Sequence, residues 1–408
     1  MSERLPRFGL FAVEDDELVV GGVKLSRLAA RVGRTPFYAY DRALISRRIA
    51  ELRAALPETI SLHYAVKANP MPAVVTHIAQ LVDGLDVASA GELRVALDAG
   101  MSAHDISFAG PGKQEAELAA AVAAGILINI ESLREVRLLE NISQRLGVPA
   151  RVAVRVNPDF ELKSSGMRMG GGPKQFGIDA ERVPQALEEI GRRGLSFQGF
   201  HIFSGSQNLR AASICESQVK AFDLASRLAQ SAPAPVRVIN LGGGFGIPYF
   251  PGEAPLELKP IGENLAALAQ RAEREFDRVE LVIELGRYIV GESGIYVCRV
   301  VDRKVSRGEV FLVTDGGLHH HLAASGNFGQ VIRKNYPVCN GTQVCSGPRE
   351  VVSVVGPLCT PLDLLGDRVE IGAAQEDSLI VVLQSGAYGL TASPTRFLGH
   401  PEPLEVLL

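Results

Sequence analysis

Short apolar runs alternate with longer stretches of helical spacing along this chain from about residue 35 onward. The runs are HYAVKAN (63–69), LDVAS (85–89), ISFAG (106–110), ILINIES (126–132), RVAVRVNP (151–158), FQGFHIFSG (197–205), VRVINLGGG (236–244) and LVIELGR (281–287), eight in all. Between them, AGELRVALDAG (90–100) and QEAELAAAVAAG (114–125) place alanine and leucine at helical spacing and stop at a glycine. The runs are apolar throughout rather than at every second position, which predicts a parallel sheet buried on both faces. Eight such units over about 250 residues suit a closed (β/α)8 TIM-like barrel, with a doubly wound open sheet as the competing arrangement. Past residue 287 the pattern changes: GIYVCRVVDRKV, EVFLVTDGG, REVVSVVGPLC and SLIVVLQSGAYG are strand-like with few helical stretches between them. They predict a C-terminal antiparallel β domain. The boundaries read from the pattern are an N-terminal segment 1–34 that contributes to the β domain, notably through ELVVGGV, a barrel over 35–287, and the β domain over 288–408.

Composition narrows the range of partners. With 46% apolar and 22% charged residues, the chain has the balance of a folded soluble protein with a large core. Its 42 basic and 46 acidic side chains, net charge −4, form no long single-sign run, so nucleic acid and membrane surfaces are not expected partners. A small molecule or a protein is. Cys215, Cys298, Cys339, Cys345 and Cys359 are odd in number and lack CxxC pairing, which predicts reduced thiols and a cytoplasmic location. The opening MSERLPRFGLFAV has no apolar export signal, and no run reaches membrane-spanning length.

In a barrel of this kind the ligand site lies at the carboxyl ends of the strands, so the polar residues that end apolar runs carry the functional reading. Lys67, Asp86, Ser89, Arg155, His201, Ser204, Gly242–Gly244 and Glu284 stand there. Lys67 in SLHYAVKANP is either a surface ammonium on a flexible stem or an amine held at a strand end for covalent chemistry. NLGGGFGIPY offers backbone N–H groups that approach an anion closely, and a phosphate is the natural guest. By itself the run is equally a tight turn, and it lacks the GxGxxG spacing of a dinucleotide loop. His319, His320 and His321 are not expected to hold a metal, because neighbouring residues on a strand alternate faces. An amine, a carboxylate and a phosphate cradle together fit one cofactor, pyridoxal 5′-phosphate, held covalently by the lysine with its ring nitrogen paired to an acid.

The motifs YAVKAN, GFHIFSGSQ, NLGGGFG, ELGRYIVGESG, GPLCTPLD and SGAYG follow the order seen in the fold-type III pyridoxal-phosphate decarboxylases. Over nearly its whole length the chain resembles this ornithine and diaminopimelate decarboxylase family, whose architecture is alanine racemase-like. HYAVKANPMPAVV, NPDFELKSSGMRMGGGPKQFG and FHIFSGSQNL are most similar to its exosortase-system-associated subgroup. The resemblance implies that Lys67 bonds the coenzyme and that Asp86 orients it, with Arg155 among the residues around the coenzyme. It implies that His201 stacks on the ring and that Glu284 keeps the ring nitrogen protonated. Ser204 or Ser206, Gly243, Gly244, the backbone around Gly286 and Arg287, and Tyr388 are implied to bind the phosphate. Cys359 resembles a cysteine that enters the site from a second subunit and protonates Cα, which implies a homodimer with shared active sites. Glu284 favours decarboxylation over the racemase alternative, since related racemases place an arginine there. A noncatalytic coenzyme-binding regulator would use the barrel alone and have no need of Cys359.

The chain also departs from its relatives. Where ornithine and diaminopimelate decarboxylases carry an acid for the substrate's distal ammonium, Thr360 stands, and GGLHHHLAASGNFG shows Ala323, Ala324 and Phe328 where an arginine and a tyrosine would clamp a distal carboxylate. The expected substrate is therefore an amino acid whose distal end is neutral or tethered to a carrier protein, not free diaminopimelate, lysine or ornithine. Thr360 and Arg168 are the candidate substrate contacts. Arg168 lies in SSGMRMGGGPKQFG, which is either a mobile cover or a solvated insertion.

Overall fold

The computed structural model describes residues 10–160, the backbone of 167–168, and residues 170–328, 330 and 333–408. By their contacts the residues divide into two compact units, one of Arg48–Ile247 with Ala254–Tyr288, the other of the residues up to Arg47 with Pro248–Glu253 and Ile289–Leu408.

The first unit is a closed barrel of eight parallel strands: Ile60–Ala65, Gly84–Val87, Ile106–Phe108, Leu127–Ile130, Arg151–Asn157, Ser196–His201, Val238–Gly243 and Glu280–Leu285. Each pairs with the next, and the eighth pairs with the first, so no edge is left open. Almost every strand residue is buried, as expected for strands covered on both faces. The helices that follow are set by local chemistry. The Ser89 and Ser132 hydroxyls cap Ala90–Asp98 and Leu133–Leu146 by accepting the Glu92 and Glu135 amides, and Gly125, in a left-handed conformation at φ 77°, ends Glu115–Ala124.

The second unit holds an eight-stranded sheet. Its long strand Gly294–Ser306 pairs antiparallel with Glu309–Thr314, Leu379–Val382 and Phe37–Tyr40. The sheet is mixed rather than antiparallel throughout. Glu309–Thr314 runs parallel to Arg349–Val355, and Leu404–Leu407 parallel to Phe37–Tyr40. ELVVGGV joins a sheet of its own, Ala12–Glu14, Glu17–Val20 and Val23–Lys24, because its central glycines turn the chain back to pair with itself. Its Leu18 and Val20 nevertheless fill the same core as Phe37, Ile295, Val297 and Val381. The strand from the amino-terminal part that does enter the large sheet is Phe37–Tyr40, inside the segment assigned to the barrel from the sequence pattern.

No described helix is long and apolar enough to cross a membrane. His319 and His320 lie in a turn and His321 just after it, none on a strand, and two of the three bond to the protein: His320 Nε2 is 3.0 Å from the Pro401 carbonyl and His321 Nε2 2.9 Å from Ser385 Oγ.

Candidate active site

The stretch SLHYAVKANP folds as a strand, Ile60–Ala65, that passes into one 3-10 turn, Val66–Ala68. Asn69 is extended, as a residue before proline must be, and its side-chain oxygen accepts the Met71 amide at 3.1 Å. The Tyr64 hydroxyl reaches over the turn to the Asn69 carbonyl at 3.0 Å. Lys67 therefore projects from a stiff junction between strand and helix, its stem exposed and its amine 5.8 Å from the Phe203 ring centre. Gly286 supports the same turn from the end of the eighth strand. A methyl group there would lie 2.8 Å from Ala68 Cβ and 3.3 Å from the Ala65 carbonyl, so only glycine allows the approach. Arg287 follows at the start of the short helix Arg287–Val290.

Glu284, buried in the eighth strand, accepts Asn240 Nδ2 at 3.0 Å. His201 Nε2 comes within 3.1 Å of the same oxygen, and neither of its ring nitrogens has an aligned hydrogen bond. Burial opposes ionisation of Glu284, yet His201, Lys67 and Arg155 together hold its carboxyl well below the usual range. At neutral pH it is a buried anion.

The glycine run closes the seventh strand with a register shift between Asn240 and Gly243, and Gly242 and Gly244 stand in left-handed conformations at φ 74° and 77°. Side chains are excluded here. A methyl on Gly243 would sit 1.8 Å from the Glu284 carbonyl, and one on Gly244 2.1 Å from the Gly205 carbonyl. The FSGSQ segment is laced against this run, with the Asn208 amide on the Gly244 carbonyl at 2.9 Å and Gln207 Nε2 on the Ile247 carbonyl at 2.6 Å. Ser204 and Gly243 line one recess, and Ser204 Oγ is buried without a partner. Ser206 is only half-buried and lies on a short strand paired with Met167–Arg168. The Arg168 side chain lies outside the described residues. Unpartnered buried Ser204 Oγ, His201 nitrogens and Asp86 Oδ2, beside a cradle that admits no Cβ, fit a polar guest with an anionic end such as pyridoxal phosphate.

The third and fourth strands add residues not singled out from the sequence. Asp86 Oδ1 accepts the Ser107 hydroxyl at 2.5 Å and lies 3.2 Å from His63 Nδ1, and Asn129 Nδ2 donates to Ser107 at 3.2 Å. Arg155 donates to Glu131 Oε1 at 2.7 Å. Glu131 also accepts the Gly110 amide at 2.6 Å and the Gly177 amide at 3.0 Å. Burial opposes its charge, but Arg155 and Lys113 lower its pKa. The strand-end rule would have found Glu131, which closes ILINIES just as Glu284 closes its own run.

Three expected site residues lie in the other unit. Cys359 is exposed on the turn of GPLCTPLD, and the Thr360 hydroxyl accepts the Leu362 amide at 3.3 Å. Asp363 fixes that turn by accepting the Leu358 amide at 2.8 Å and the Leu318 amide at 2.6 Å. Tyr388 is half-buried with a left-handed backbone at φ 53°.

Residues 42–291 match the family described as pyridoxal-dependent decarboxylase, pyridoxal binding domain. The chain belongs to that family. It is a pyridoxal-phosphate-dependent decarboxylase. The L-glutamyl-[BtrI acyl-carrier protein] decarboxylase of Niallia circulans is 41% identical to it over 91% of this chain and 88% of that protein. The diaminopimelate decarboxylase of Aquifex aeolicus is 33% identical over 97% of this chain and 91% of its own length. Among solved structures, the Helicobacter pylori diaminopimelate decarboxylase complexed with L-lysine superposes with a TM-score of 0.81 at 26% identity, covering 94% of each chain.

Proposed function

We propose that this decarboxylase releases CO2 from an amino acid tethered to a carrier protein through its distal end, with a glutamyl group as the first candidate. The observation that carries the reading is Thr360. A neutral hydroxyl already engaged by the Leu362 amide stands where relatives acting on diamines or diamino acids are expected to carry an acid. The similarity to a glutamyl carrier-protein decarboxylase supports the same substrate class. Loss of CO2 from Cα requires a free α-carboxylate, so a tethered glutamyl group must be joined through its side-chain carboxyl, which leaves the distal end uncharged.

In this reading Lys67 holds the coenzyme covalently and Asp86 orients the amine, with Arg155 beside them. His201 lies against the ring. Ser204, rather than the half-buried Ser206, binds the phosphate with the backbone of Gly243, Gly244, Gly286 and Arg287, and Tyr388 adds its hydroxyl. Bound pyridoxal phosphate supplies the electron sink for the pair left when CO2 departs. Glu284, a buried anion, keeps a proton on the ring nitrogen through a charge-assisted hydrogen bond. Cys359 delivers the proton to Cα from a second subunit, so the working form is a homodimer, and the site of action is the cytoplasm. Arg168 is retained as a substrate contact.

The test is a CO2 assay of the coenzyme-loaded protein with glutamyl-carrier thioester, glutamyl-pantetheine thioester and free diaminopimelate, lysine and ornithine, followed by mass spectrometry of products. Turnover of the thioesters with loss of CO2 is expected. Fast turnover of free diaminopimelate would overturn the substrate reading.

A further inference from the structure

A buried polar chain runs through four neighbouring barrel strands. Asn129 donates to Ser107 at 3.2 Å, Ser107 to Asp86 Oδ1 at 2.5 Å, and His63 Nδ1 stands 3.2 Å from that same oxygen. All four residues are at most 9% exposed. Both neighbours of Asp86 fall on one oxygen, and Oδ2 is left buried with no partner. Such an atom is costly unless a donor completes it. Asp86 is in register with Ala65, two residues before Lys67.

The imidazole has a made place. A Cβ on Gly84 would lie 2.4 Å from His63 Nε2 and 2.5 Å from its Cε1, so the ring packs where a side chain at position 84 would otherwise stand. His63 and Gly84 are direct register partners.

We propose that His63 is a positioning residue for the decarboxylation: with Ser107 it occupies Oδ1 of Asp86 and so reserves Oδ2 for the amine at Lys67. The inference rests on the reading of Lys67 as the coenzyme lysine. His63 also sets the local charge. Acids face the imidazole from two strands, Asp86 on the second and Glu280 and Glu284 on the eighth, and although burial alone would lower its pKa they raise it. With Ser107, His63 fixes the Asp86 carboxylate through Oδ1, and without it that carboxylate is free to turn and present either oxygen.

Three measurements test this. In the cofactor-free full-length protein, the His63 imidazole, assigned by NMR against His63→Asn, is expected to titrate above the ordinary histidine range and to fall in Asp86→Asn. Titration at or below the ordinary value would overturn the proposal without any His63 variant having to fold. Reductive methylation of Lys67 in the same protein is expected to change in rate in His63→Leu. In the loaded enzyme, His63→Leu is expected to lose on the order of tenfold in kcat with KM little changed, and His63→Asn, which still donates to Oδ1, to recover most of it. A His63→Leu protein with a lower Tm but native Lys67 reactivity and a native kcat pH profile would show that the histidine only packs, and would end the proposal. If borohydride fixes pyridoxal phosphate on native Lys67, a negative result on His63 falls on this inference alone. If it fixes none there, the reading of Lys67 fails and this inference with it.

Discussion

Lys67 is presented by the geometry before and after it. Tyr64 and Asn69 stiffen the turn and Gly286 lets the eighth strand close against it, so the amine is presented at a fixed place although its stem is exposed. Lys67→Ala is expected to abolish borohydride fixation of pyridoxal phosphate, measured by peptide mass spectrometry. Glu284 is the other residue on which the proposed chemistry turns. Glu284→Gln removes the buried anion while keeping a hydrogen-bonding shape, and kcat is expected to fall by about a hundredfold, the scale of losing one preorganised electrostatic contact. Glu131 acts one step further out. Its carboxylate joins Arg155 to the Gly110 and Gly177 amides, so Glu131→Gln, which keeps one acceptor oxygen, removes the charge paired with a buried guanidinium and leaves at least one of these donors without its partner. Weaker coenzyme retention on dialysis is the expected outcome, with Lys67 still labelled.

At the scale of elements, the turn bearing Cys359 and Thr360 is held by one side chain. Asp363 accepts the Leu318 and Leu358 amides, and a Cβ on Gly317 or Gly356 would lie 2.1 Å or 2.3 Å from its carboxylate oxygens, so the packing leaves no slack. Asp363→Ala leaves two amides unpartnered and is expected to cost about 1–3 kcal/mol for each in unfolding free energy. Asp363→Asn, which keeps one acceptor, should cost less, and denaturant titration separates the two. The glycine run at the end of the seventh strand is equally intolerant of a side chain. The polar strand ends proposed to carry most of the site were readable as a pattern, since Lys67, Asp86, His201 and Glu284 each interrupt an apolar run. His63 was not, because it opens its run rather than closing it, and a polar residue on one strand does not reveal that Asp86 on the next will meet it. Neither was Asp363, one of whose partners, the Leu318 amide, comes from a turn 45 residues away.

For the whole molecule, acid should be destabilising. Burial lowers the pKa values of His319, His320 and His321 to about 3, 4 and 3, against an ordinary 6.5. As pH falls below 6.5 the unfolded chain takes up these protons first, so stability is present above 6.5 and is lost toward the folded values, by up to about 1.4 kcal/mol per histidine per pH unit. His63, with its raised pKa, acts in the opposite sense: its contribution is greatest below 6.5 and fades as pH rises. Among these histidines it is one group against three. Thermal melts should therefore show a lower Tm at pH 5 than at pH 7.5. The proposed shared site has its own test. Mixing inactive Lys67→Ala and Cys359→Ala proteins under conditions of subunit exchange is expected to restore about a quarter of native activity, because half of the dimers are then mixed and each has one intact site.

The order of eight apolar runs and intervening helices is a local property, fixed by side-chain periodicity and burial. It was enough to predict eight parallel strands, though the pairing of the last with the first is what excludes the open sheet, and the polar residues at the strand ends were enough to indicate a coenzyme chemistry. What periodicity cannot encode is which distant segments pair. Phe37–Tyr40 reads like any other strand, and its place between Gly294–Val297 and Leu404–Leu407 follows from backbone hydrogen bonds across more than 250 residues of sequence. Two parallel pairings in a sheet expected to be antiparallel have the same origin. So do the contacts of His63 with Asp86 and of Glu131 with Arg155. Hydrogen bonds and charges act over a few ångströms, and only the closed barrel brings those groups within that distance.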